Sequence, residues 1–185
     1  MAATEGARRL EDRLLSITVI GVDRPGIVAA VARVLYDLGC NLEDVTSTIL
    51  RGNFSMVLVL RAPETVDAAY LEVHLQAVAR ELDLVVAART LQEGAGPPAP
   101  PTHLVSVYGS DKPGIVYRIT EALASVGANI TDLTSRVVGE DGEPVYALML
   151  EVALADPDAL QEHLDRLGRD LDVEVTIHPL ETEIL

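Results

Sequence analysis

The chain has 185 residues, 49% hydrophobic and 23% charged, with 14 basic against 29 acidic residues and a net charge of −15. That composition is the make-up of a soluble globular protein, and its sign repels phosphate backbones, which excludes direct nucleic-acid binding as the expected mode. A single cysteine, Cys40, provides neither an internal disulfide nor a CxxC metal site, and no apolar run nears the roughly 20 residues of a membrane span. The start, MAATEGARRLEDR, lacks the apolar stretch of a secretory signal, so a cytoplasmic protein with no membrane partner is expected.

Residues 1–13 read as an N-terminal tail. LLSITVIG, residues 14–21, is an apolar β-rich run, and after it Ile27, Val28, Val31, Val34, Leu35 and Leu38 recur at helical spacing. Pro25 suits the first turn of that helix, and Gly39 suits the left-handed position just past its end. NLEDVTSTIL and NFSMVLVLR follow as strands joined by a tight Arg51-Gly52 turn. Leu71, Leu75, Val78 and Leu82 mark a second helix, and LDLVVAARTL a final strand, so residues 14–92 spell βαββαβ. EGAGPPAPPT, residues 93–102, supports neither helix nor central strand and reads as a linker stiffened by its prolines.

Residues 103–185 repeat the plan, with helices carrying Ile115, Ile119, Leu123 and Val126, then Leu160, Leu164, Leu167 and Leu171. The repeat is also literal. GVDRPGIV from Gly21 and GSDKPGIV from Gly109 lie 88 positions apart and share six of eight letters. At the same offset Gly39, Asn41, Asp44 and Thr46-Ser47 match Gly127, Asn129, Asp132 and Thr134-Ser135. The register breaks where RGN gives way to the longer GEDGEP at 139–144, which reads as a lengthened hairpin loop. The surfaces diverge: residues 14–91 hold 6 basic and 9 acidic residues, residues 103–181 hold 5 and 15. An antiparallel sheet with two helices on one face, the α+β ferredoxin-like sandwich, is the compact solution for each half. Because small sheets leave edges that a like neighbour can cover, the two halves are expected to pair side by side, with a homodimer as a further step.

Several activities of that fold lack their residues. Stacking of RNA bases needs aromatics, which make up 3% of this chain, and metal carriage needs paired cysteines. A phosphate cradle after the first strand would be basic, whereas Asp23 and Asp111 sit there. Ser16, Ser47 and Ser135 lack a nucleophile turn, and His74, His103, His163 and His178 have no metal-ligand spacing and read as surface histidines. Glu140, Asp141 and Glu143 read first as a hairpin turn, and Cys40, aligned with Ala128, as a packing residue. Neither a catalytic constellation, a metal site nor a cofactor motif emerges, so an enzyme is not expected.

A strand running into D-[RK]-P-G-I, a helix, and then G-x-N opening the next strand resembles the ACT domain, the small amino-acid-sensing module of regulated metabolic enzymes. Two such units in tandem are similar to the glycine-cleavage-system repressor group. The resemblance implies an amino-acid effector held at an interface between two ACT domains, and a regulated partner protein, either a transcription factor or an enzyme. Carried onto this chain, the effector contacts are the turn residues Asp23, Pro25, Gly26 and Ile27 with Asn41, and Asp111, Pro113, Gly114 and Ile115 with Asn129. Some members of the family have an asparagine in place of Asp23 and Asp111, and a histidine in place of Gly21 and Gly109.

The chemistry also stands without the family. A zwitterion needs N–H donors for its carboxylate, which a helix start offers, and acceptors for its ammonium, which Asp23 and Asp111 offer. Gly26 and Gly114 leave room for close approach, and the amides of Asn41 and Asn129 both donate and accept. The same aspartates suit a turn or a helix cap, and the asparagines suit a helix exit. An effector sensor and a ligand-independent interaction module that uses a sheet face or edge therefore both remain open.

Overall fold

In a computed structural model, residues 12–92, 99–138 and 145–180 are described. They form two compact units that divide between residues 96 and 97. In the first, β1 (Arg13–Val22), α1 (Ile27–Asp37), β2 (Asn41–Leu50), β3 (Asn53–Ala62), α2 (Ala68–Leu82) and β4 (Leu84–Thr90) follow one another. The second runs β5 (His103–Gly109), α3 (Ile115–Ser125), β6 (Asn129–Val138), β7 (Val145–Ala153), α4 (Asp158–Leu171) and β8 (Val173–Pro179). Each unit is one four-stranded antiparallel sheet, ordered β2-β3-β1-β4 and β6-β7-β5-β8. This is the expected βαββαβ ferredoxin-like fold, twice. The GEDGEP loop and most of the linker lie outside the described residues.

Alternation along the strands decides which face is covered. Leu15, Ile17 and Val19 of β1 and Met56, Leu58 and Leu60 of β3 are buried on one side of the first sheet. Against them α1 sets Ile27, Val31 and Leu35, one residue per turn, and α2 sets Leu71 and Leu75. The second core repeats this with Val105, Val107, Leu148, Leu150 and Val152 under Ile119, Leu123, Leu160 and Leu164. Each such side chain contributes about 1.5–3 kcal/mol relative to exposure, and each unit holds a core of its own.

The helix ends explain the repeated glycines. Gly39 at φ +72° sits just past α1, and the N–H groups of Gly39 and Cys40 reach the carbonyls of Tyr36 and Leu35. Gly127, Ala128, Ala124 and Leu123 repeat the same two bonds at the end of α3. This is a Schellman closure, whose residue after the glycine packs inward. Cys40 therefore lies half-buried against the first core, and burial pushes its thiol pKa up, which suits packing and disfavours the thiolate. At the other hairpin end, Arg51 and Gly52 adopt φ +49° and +78°, the two-residue turn whose twist matches its strands.

Helix α2 begins at Asp67, whose carboxylate accepts the Tyr70 N–H at 2.8 Å. Asp67→Ala is expected to lower the first unit's unfolding free energy by about 1 kcal/mol, read from urea midpoints. The matching helix α4 starts at Pro157 with no side-chain cap, so it has no equivalent bond to lose.

Candidate functional site

The two DxPG turns follow β1 and β5, and the structure departs from the expected cap geometry. Gly26 and Gly114, not the aspartates, occupy the N-cap positions of α1 and α3, and neither helix start has a side-chain cap. Pro25 lies in the turn outside the helix. Gly26 and Gly114 have φ +96° and +95° with no protein atom near the place of a Cβ, so each glycine answers a backbone requirement within the fold. Ile27 and Ile115 are 1% and 2% exposed, so they anchor the helix start in the core.

Asp23 and Asp111 are exposed and carry no side-chain hydrogen bond or ion pair among the described residues. The backbone of Asp23 is fixed, because its N–H donates to the Gly52 carbonyl at 2.8 Å and clips the turn to the β2–β3 hairpin tip. In the second copy Lys112 Nζ donates to the Leu171 carbonyl and to Asp172 Oδ2, both at 3.2 Å, at the C-terminal end of α4. A cation there also meets the negative end of the helix dipole. Each turn thus presents an uncommitted carboxylate beside an uncapped helix start.

Gly21 and Gly109 have a steric reason that periodicity did not reveal. Each pairs with the first residue of the last strand of its unit, Leu84 or Val173. A Cβ at Gly21 would fall 2.8 Å from the Asp83 carbonyl oxygen, and one at Gly109 would fall 3.1 Å from that of Asp172. Those carbonyls belong to left-handed residues, at φ +53° and +55°, that end α2 and α4.

Asn41 and Asn129 open β2 and β6, exposed, and their amides have no partner among the described residues. They do not meet the aspartate of their own copy. Asn41 lies level with Arg61 of β3, whereas Asp23 follows Val22, which lies level with Asn53. The stretch of β3 between those two levels spans roughly 27 Å at about 3.4 Å per residue. The second sheet repeats the separation, with Asn129 level with Ala153 and Gly109 level with Tyr146.

Between the two ends runs an uncovered edge. Leu42, Val45 and Ile49 pair with the buried Leu60, Leu58 and Phe54, so they face the helix side of the sheet, yet they are 39%, 45% and 59% exposed. Leu133 and Val137 of β6 are likewise exposed. Ten-residue edge strands with apolar side chains are pairing surfaces unless something covers them.

His74 Nδ1 lies 2.8 Å from the Tyr70 carbonyl and its ring packs on Tyr70, and among the described residues no cluster of His, Cys, Asp and Glu could hold a metal ion. No helix of the described residues is long and apolar enough to cross a membrane.

A model of the ACT domain matches residues 13–89 and again residues 102–178. The chain belongs to the ACT domain family. It is 28% identical over 169 residues to the glycine cleavage system transcriptional repressor of Escherichia coli strain K12, covering 89% of this chain and 88% of that protein. A UPF0237 protein of Methanopyrus kandleri is 42% identical over 71 residues, 38% of this chain and 79% of its own length. An unknown protein from Galdieria sulphuraria superposes with a TM-score of 0.77 at 23% identity, covering 92% of this chain and 99% of that structure, a likeness of fold. The ACT matches take in nearly every described element, so these residues build regulatory, ligand-sensing domains and not an enzyme.

Proposed function

We propose that this tandem ACT protein is a non-catalytic sensor that binds an amino acid between ACT domains and passes its occupancy to a partner protein, a transcription factor or an enzyme. The observation that carries this reading is the separation of each aspartate from its own asparagine along one sheet. Asp23 and the α1 start offer an acceptor for the ammonium and N–H donors for the carboxylate on one face of a bound zwitterion, and with Asn41 at the far end of the sheet an asparagine that closes the other face has to come from another domain. Two sheets that meet edge to edge in antiparallel fashion through β2 and β6 would bring Asp23 towards Asn129 and Asp111 towards Asn41. The same contact would cover Leu42, Val45, Ile49, Leu133 and Val137, whose exposure supports it. Such a pairing within one chain, or its extension to a homodimer, belongs to this proposal.

Ligand at a shared interface favours one arrangement of the domains over another and so becomes readable by a partner. The E. coli relative is a transcriptional repressor by name; for this chain, at −15, DNA would be reached through the partner.

The test is a thermal melt across the twenty amino acids. A ligand at a hundredfold excess over its Kd is expected to stabilise the fold by about 2.7 kcal/mol per site. Asp23→Ala, Asp111→Ala, Asn41→Ala and Asn129→Ala should each weaken that response while leaving the unliganded midpoint within about 0.5 kcal/mol of the parent, because these side chains bond to nothing in the described fold. A stabilising amino acid whose effect survives all four substitutions would refute the site. If none of the twenty stabilises the protein, the exposed β2 and β6 edges favour the interaction module instead.

A further inference from the structure

The two asparagines stand in different surroundings. Opposite Asn41 is Arg61, whose Nε donates to Glu43 Oε1 at 2.7 Å. Opposite Asn129, at the matching position of β7, is Ala153. There an open groove of about 420 Å³ lies, lined by Pro100, Thr102, Gly127, Asn129, Ala153 and Leu154, most of them exposed. Its size falls within the range of small-molecule sites, roughly 300–1,000 Å³.

The lining has no ionisable side chain, although the second unit is the more acidic one. Its polar groups are mostly spent. Thr102 Oγ1 accepts the Leu154 N–H and lies within hydrogen-bond reach of the Leu154 and Val152 carbonyls and of His103 Nδ1, which pins the end of the linker to the end of β7. The Asn129 amide is left as the polar side chain without a partner among the described residues. A ligand held by that amide would meet methyl groups and a proline ring around it. A charged side chain placed there gives up part of its water and finds no counter-charge in the lining, whereas an aliphatic one covers apolar surface.

We infer that this groove receives the effector's side chain and restricts the Asn129 end to amino acids with uncharged aliphatic side chains, with Pro100 and Ala153 as its selecting walls. The inference rests on Asn129 being an effector contact. Arg61 and Glu43 make the Asn41 end a charged environment, so the duplicated sites differ in what they accept.

The experiment is calorimetry on the full chain carrying Asn41→Ala, which leaves the Asn129 end intact, titrated separately with alanine, valine, aspartate and lysine. Valine or alanine is expected to bind at least about tenfold more tightly than aspartate or lysine. Ala153→Arg, which copies the first domain's residue, and Pro100→Asp, an exposed change outside any helix or strand, should each weaken aliphatic binding about tenfold. If aspartate or lysine binds as well as valine, the inference is overturned. It is equally overturned if both variants keep the parent affinity while Asn129→Ala abolishes binding, and in that case the sensor reading survives. Absence of binding by any amino acid to the parent chain overturns both.

Discussion

Gly21→His should destabilise the first ACT domain by about 3 kcal/mol, whereas Val22→His beside it should change little. Histidine is the residue that some members of the family carry at the Gly21 position, so the substitution would otherwise pass as a family-like replacement. In this chain Gly21 pairs with Leu84 where β4 begins, and even a Cβ would lie 2.8 Å from the Asp83 carbonyl and 2.6 Å from a Leu84 methyl. The methyl can move. The carbonyl cannot easily do so, because Asp83 holds a left-handed conformation that ends α2 and its N–H is bonded to the Ala79 carbonyl. Relief therefore requires β4 to separate from β1 or α2 to lose its last turn. Val22 is 53% exposed, so a histidine there has room. Urea unfolding of both variants checks the contrast, and equal midpoints would show that the β1–β4 contact is looser than described. Gly109→His should repeat the effect in the second domain, where Val173 and Asp172 stand in the same places.

The fold was readable because the central strands and the helices packed on them each bury one face. Leu15, Ile17 and Val19 alternate, Ile27, Val31 and Leu35 recur every fourth residue, and both patterns name the residues that the cores contain. Duplication reinforced the reading, since two copies show which glycines, aspartates and asparagines are kept. Local chemistry was less readable where tertiary contacts decide it. Asp23 looked like a helix cap, but the backbone of Gly26 takes a positive φ, the helix begins one residue later, and Asp23 is tied through its N–H to a hairpin tip 29 positions away. Gly26 looked like a residue making room for a ligand, and its positive φ adds a backbone reason that the sequence did not show. The contrast between Arg61 and Ala153 needed the strand register, because both β2 and β6 slip by one residue, between Leu42 and Asp44 and between Ile130 and Asp132. Counting along the sequence would have placed other residues opposite the asparagines.

The central claim is that each effector site joins the aspartate of one ACT domain to the asparagine of the other. Two double variants separate it from every local arrangement. Asp23→Ala with Asn129→Ala removes both halves of one proposed site and leaves Asp111 and Asn41 to form the other. Asp23→Ala with Asn41→Ala removes half of each. Isothermal titration of the stabilising amino acid should therefore give one ligand per chain for the first double variant, against two for the parent, and no measurable binding for the second. The reverse result, with one ligand kept by Asp23→Ala/Asn41→Ala and none by Asp23→Ala/Asn129→Ala, would contradict the shared site.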